Sequence, residues 1–223
     1  MNGRLSLSIA AASLAFAGGA VLAKESHHDF NRLLKGDYAF SGEATCLVSL
    51  TGFNADLTPA GPPAPFPFLT SFSIEGVRTF NGDGTGTLSG RVVSLRHPSA
   101  IPSATLAPYT PLFNRGGASA SDISATFTYT VAPDRTFTIE TLTLQGDNVA
   151  GTAPGPTFTV ANFPTAVGLI GRDHESLTLA HTLPTVETQT FYDASNAPVQ
   201  TQYRICHRSR ILLEMKGGGR HRD

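Results

Sequence analysis

From residue 37 to residue 50, apolar and polar side chains take turns along the chain. Tyr38, Phe40, Gly42, Ala44, Cys46, Val48 and Leu50 form one row, and Asp37, Ser41, Glu43, Thr45 and Ser49 the other, with Ala39 and Leu47 as exceptions. Successive side chains leave a strand on opposite faces, so a period of two over this length predicts a strand with one side packed on a core. Residues 69–80 and 85–95 repeat the pattern across Asn81-Gly82-Asp83-Gly84, whose residues accept the positive φ of a tight hairpin. Residues 123–131 and 136–144 do the same across Ala132-Pro133-Asp134-Arg135. Shorter strands are expected at Thr157–Ala161, Ala166–Ile170, Ser176–His181 and Val186–Tyr192, and a long last strand at 199–213. Thr, Val, Phe and Tyr dominate these runs, as strands prefer. The one helical expectation is a short segment around 28–34.

So many short strands punctuated by turns predict a single all-β domain, read as an antiparallel up-and-down β-barrel of about 8–10 strands. Two cysteines sharpen that reading. Cys46 and Cys206 fall in the first and last strands. A bond between them makes those strands neighbours, and a sheet whose ends are neighbours is closed. The connections at 54–68, 96–121 and 146–156 are long, whereas those after the second and fourth strands are tight. In a meander the odd connections fall at one end, so the long loops are expected to gather at one mouth. They carry Phe66, Phe68, Leu106, Tyr109, Leu112 and Phe113. These side chains either tuck the loops onto the rim or form an apolar lid over a cavity.

Composition sets the address. Arg4, a short apolar run at 5–16 and Val21-Leu22-Ala23 have the layout of a secretory signal, so residues 1–23 are expected to be removed. Residues 24–36 then form an N-terminal segment with the short helix, 37–213 the barrel, and 214–223 a basic, flexible tail. Export to a periplasmic or extracellular space permits a disulfide. Without Arg4 the chain has 15 basic and 17 acidic side chains. That balance offers no basic face for nucleic acid, and no later stretch is apolar enough for a transmembrane helix. An outer-membrane barrel fits poorly, because the chain has no Trp and its C-terminus is basic.

Leu34-Lys35-Gly36-Asp37-Tyr38 resembles the calycin pattern of lipocalins and their relatives: a short helix, then Gly-x-aromatic opening the first strand, with an Arg in the last strand. The resemblance implies a barrel whose closed end holds Tyr38 under Arg208 or Arg210. The Phe80–Thr87 hairpin sequence also resembles turns of allene-oxide-cyclase-like secreted barrels. Neither resemblance names a ligand.

The arginines pose the sharpest question. Cys46 lies in the apolar row of its strand, while Cys206 shares its row with Gln202, Arg204, Arg208 and Arg210. A cross-strand disulfide needs both cysteines on one face. Arg78 likewise shares a row with Phe72, Ile74 and Phe80. Bulges near Gly76 and in the last strand would leave the arginines solvated or on a rim, and the cost of burying unpaired charge favours that arrangement. Inward arginines would instead make a cavity that takes a carboxylate or another anion. The candidate ligand-binding set is therefore Arg78, Arg204, Phe66, Phe68, Tyr109 and Phe113.

No catalytic motif is present, and the scattered His27, His28, His174, His181 and His207 lack metal-site spacing, so neither metal nor cofactor is expected. Glu75, Glu140 and Glu187 are expected to face water, as strand carboxylates usually do. The leading expectation is a secreted, non-enzymatic barrel that binds a small, partly apolar ligand, anions included, at the long-loop mouth. A cyclase- or dirigent-type enzyme, with Arg78, Glu75 or Arg204 converging in the cavity, and a structural β-sandwich module are the alternatives.

Overall fold

The computed structural model describes residues 29–61, 67–98 and 116–216. The segment 1–23 expected to be a signal, His27, His28 and the tail beyond residue 216 lie outside them. Ten strands follow one 3₁₀ turn at Phe30–Leu33, shorter than the helix expected there: β1 Lys35–Ser49, β2 Phe68–Asn81, β3 Thr85–Arg96, β4 Gly117–Val131, β5 Thr136–Gly151, β6 Thr157–Ala161, β7 Ala166–Ile170, β8 Ser176–His181, β9 Val186–Tyr192 and β10 Pro198–Glu214.

The sheet closes into a ring eight strands wide. Each strand from β1 to β5 pairs antiparallel with the next, and β10 returns to β1. Between β5 and β10 the wall is built from two interrupted strands. β6 and β7 both pair with β5, and β8 and β9 both pair with β10. β6 also pairs with β9, and β7 with β8, so the wall is continuous above and below the breaks. Asn162, with φ of 58°, and Phe163 mark the first break. The closed ring excludes the two-layer sandwich.

Register decides which way the side chains point. β1 and β10 pair without a slip from Tyr38↔Glu214 to Ser49↔Tyr203, and Cys46 sits directly opposite Cys206, bonded to it. β2 runs unbroken through Phe40↔Gly76 on one side and Gly76↔Gly90 on the other. The bulge expected near Gly76 is absent, and the one irregularity in β10 lies at Pro198/Gln200, before its arginines. The row of Cys46 is therefore the row of Arg204, Arg208 and Arg210, and it faces the interior. The expectation of solvated arginines is overturned: Arg78, Arg208 and Arg210 are buried.

The tight-turn end is plugged by aromatic packing. Phe80 meets Tyr38, Phe127, Tyr129 and Phe137 edge-on at 5.0–6.4 Å. Room for two of these rings comes from glycine: a Cβ at Gly86 would lie 2.3 Å from the Phe127 ring, and one at Gly168 equally close to that of Phe137. The 3₁₀ turn caps this end. The Tyr129 hydroxyl donates to the Leu34 carbonyl at 2.7 Å and accepts from Gly82 N–H, while Val131 N–H donates to Asn31 Oδ1. Burial pushes the Tyr38 phenol up to about 12. Neither arginine suggested by the calycin resemblance covers Tyr38: Arg208 stands against Phe72 and Phe163, and Arg210 against Phe40.

At the opposite end β1 stops at Ser49 and β2 starts at Phe68, and β3 stops at Arg96 and β4 starts at Gly117. The third long loop is not formed, because β5 runs on to Gly151 and leaves only 152–156 before β6. Hydrogen bonds from Asn148 N–H to the Pro156 carbonyl and from Thr152 N–H to the Ala118 carbonyl hold that short connection.

Candidate functional site

A cavity of about 110 Å³ occupies the barrel interior. Its apolar wall includes Ile74, Leu88, Ile123, Phe127, Phe158 and Phe191, and its rim near the long connections includes Arg96, Gly117 and Thr152. Into this chamber point Arg78 from β2 and Arg204, Arg208 and Arg210 from β10, with Gln189 from β9 and Gln202 beside them.

One carboxylate answers this charge. Glu187, fully buried, accepts from Arg204 Nε at 2.8 Å and from both terminal nitrogens of Arg208, one of them at 2.6 Å. Burial alone would raise its pKa, but Arg204 and Arg208 outweigh that and hold the carboxylate below its ordinary value. Gln189 Oε1 accepts from Arg204 and from Gln202 at 2.8 and 2.9 Å, which completes a closed polar ladder along β9 and β10. His181 Nδ1 lies 3.2 Å from Arg208, whose guanidinium can only donate, so this nitrogen is the acceptor. Burial and the neighbouring arginines push the imidazole down to about 3.

Arg78 and Arg210 stand outside this ladder. Arg78 Nε and Nη1 and Arg210 Nε have no hydrogen-bond partner. Their guanidiniums lie against aromatic rings instead, 4.8 Å over Phe127 for Arg78 and 6.0 Å over Phe40 for Arg210. A ring face returns about 0.5–2 kcal/mol, less than the several kcal/mol it costs to take a charge out of water. Desolvation lowers Arg78 to about 10, and desolvation together with Arg78 and Arg208, against the opposing effect of Glu187, holds Arg210 well below its ordinary value. Four interior guanidiniums thus share one buried carboxylate, with Arg96 a fifth at the rim, an excess of positive charge in an apolar shell.

Of the residues singled out from sequence, Arg78 and Arg204 line the cavity. Phe68 does not: it packs with Cys46, Val48 and Cys206 in a separate small cluster, with Arg96 5.4 Å over its ring. Phe66, Tyr109 and Phe113, like Leu106 and Leu112, lie outside the described residues. Glu75 and Glu140 are exposed on the outer wall, but Glu187 is inside, contrary to expectation. Sequence reasoning also missed Gln189 and His181. The signal for Glu187 and Gln189 was the row they share with Phe191. Among the described residues there is no His, Cys, Asp or Glu cluster fit to hold a metal, and no helix long and apolar enough to cross a membrane.

Neither a scan against known protein-family models nor a search of curated proteins finds a match to this chain.

Proposed function

We propose that this chain is an exported, non-enzymatic barrel that binds a small, partly apolar anion in its interior, reached from the end that carries the long connections. The observation behind this reading is the pair Arg78 and Arg210, buried in an apolar chamber with no carboxylate hydrogen-bonded to either. An unpaired buried guanidinium costs stability, and a bound anion removes that cost. The enclosed volume of about 110 Å³ is below the roughly 150 Å³ that accepts benzene, so the chamber encloses a compact head and part of a small apolar body, the rest reaching the rim at Arg96, Gly117 and Thr152. Export is supported by the layout of residues 1–23 and by a disulfide that suits an oxidising compartment.

Binding is favoured over the cyclase- or dirigent-type alternative by the state of the interior acid–base groups. Glu187 is held ionised by two arginines and His181 is held neutral, so neither exchanges a proton readily near neutral pH. Glu75 is on the outer wall and cannot converge with Arg78. Whether the barrel is a lipocalin-type calycin is part of the same proposal, resting on Gly36-Asp37-Tyr38 and the eight-strand ring. Thermal shift with a set of small aromatic and aliphatic acids against matched alcohols tests the reading. Acids are expected to raise the melting temperature in a concentration-dependent way and alcohols to leave it unchanged. Equal responses, or none, would remove the anion from the proposal.

A further inference from the structure

The interior arginines fall into two kinds. Arg204 and Arg208 share Glu187. Arg78 and Arg210 have no carboxylate. Both sit deep, Arg78 three residues from the tight-turn end of β2 and Arg210 four from the end of β10. They flank β1 from its two sides, Arg78 opposite Tyr38 and Arg210 opposite Gly42, and the charge of Arg78 disfavours that of Arg210. The other titratable groups facing them are Tyr38, opposite Arg78 and held as a neutral phenol by burial, His181, which already accepts from Arg208, and Glu187, which favours the charge of Arg210 but is already engaged by two guanidiniums.

Resting on the anion-binding reading above, we infer that the ligand's head group carries two negative charges, is seated between Arg78 and Arg210, and is joined to an apolar body about the size of one aromatic ring. Phosphate monoesters, phosphonates and vicinal dicarboxylates have that chemistry. A singly charged head would leave one buried guanidinium unanswered, whereas a doubly charged head matches both at once and bridges two planar donor forks. The apolar body has its own place. Ile123, Phe158 and Phe191 form a wall of ring faces and branched carbon, while Phe127 lies with the head, under Arg78. The ligand therefore lies head down, its body toward the mouth.

The test uses titration calorimetry on the purified chain with phenyl phosphate and benzenesulfonate, two ligands of similar shape. At pH 8 the phosphate carries two charges, its second pKa being about 6, and the sulfonate carries one. Phenyl phosphate is expected to bind one per chain, at least about tenfold more tightly than the sulfonate. At pH 5 phenyl phosphate is singly charged and its advantage should disappear, while Glu187, held below the ordinary carboxylate range, and His181, at about 3, keep their charge states. Phthalate against benzoate repeats the comparison without phosphorus and separates charge number from phosphate chemistry. Arg78→Met and Arg210→Met, each checked for an unchanged circular dichroism spectrum, should reduce the preference to within about threefold. Equal affinity for singly and doubly charged ligands, or two single charges bound per chain, would overturn the doubly charged head and leave anion binding standing. No binding by any of the four would overturn both.

Discussion

Gly42 and Arg210 face each other across the first and last strands, and the stem of Arg210 fills the space a side chain at position 42 would need. A Cβ there would lie 2.5 Å from Arg210 Cγ and equally close to the Ser209 carbonyl oxygen. The missing side chain is what lets a long cationic residue lie along the inner wall. Gly42→Ala must displace both a buried guanidinium and a backbone carbonyl, so it is expected to cost about 1–3 kcal/mol and to weaken anion binding. Urea unfolding followed by calorimetry reads both effects. A variant as stable as the parent, with undiminished binding, would show that Arg210 reaches the chamber by another route.

The two kinds of arginine predict opposite responses to neutralisation. Glu187→Gln leaves Arg204 and Arg208 buried with their charge uncompensated, which is expected to destabilise the barrel by about 3–5 kcal/mol. Arg78→Met removes a guanidinium that has no carboxylate and replaces it with an apolar chain of similar length. That change is expected to be neutral or stabilising in the absence of ligand, with loss of anion binding. Denaturation midpoints of the two variants beside the parent decide it. Loss of stability in Arg78→Met comparable to that in Glu187→Gln would mean that Arg78 supports the fold rather than a ligand.

Strand positions were legible because a half-buried strand writes its two faces into the sequence. Tyr38, Phe40, Ala44, Cys46 and Val48 are all buried, and the alternation at 37–50 marks them as one row. Closure was legible from two residues, Cys46 and Cys206, because a covalent bond fixes which strands are neighbours. The direction of the arginines was not, although the information was present. A cysteine in an apolar row and a cysteine in an arginine row can bond only if both rows share a face. The general cost of burying charge argued against the conclusion, and it failed here because the compensating groups, Glu187 and the rings of Phe40, Phe72 and Phe127, sit on strands distant in sequence. The end of β5 was misplaced for a local reason. Gln145, Asp147 and Asn148 read as loop residues, yet Asn148 points inward to accept from the Ser121 hydroxyl at 2.6 Å.

The disulfide should contribute chiefly through the unfolded chain. Cys46 and Cys206 are 160 residues apart, and closing a loop of that length is worth up to about 5 kcal/mol in the chain-entropy view. Replacing both with Ala is expected to lower the melting temperature substantially while the ring still closes, because the β1–β10 ladder remains paired on both sides of the bond. Thermal melting of the double variant, with its strand content followed by circular dichroism, tests this. A variant that loses its strand content at room temperature would make the bond a requirement for closure rather than a reinforcement of it.

The strongest pH dependence between neutrality and pH 5 should come from His181. Burial, together with Arg208, Arg210 and Arg78, lowers its pKa to about 3, with Glu187 acting in the opposite sense. In the unfolded chain an imidazole titrates near 6.5. Between those values the unfolded state binds more protons than the folded one, so stability falls as pH drops below about 6.5. The slope is a fraction of about 1.4 kcal/mol per pH unit, because the ring is only partly buried. Glu187, whose pKa is lowered on folding, adds its own loss only as pH falls below the ordinary carboxylate range near 4.5. The window from pH 6.5 to pH 5 therefore isolates the imidazole. Unfolding free energies measured across it should decline for the parent chain and stay nearly level for His181→Gln. Parallel declines in the two proteins would place the proton uptake elsewhere.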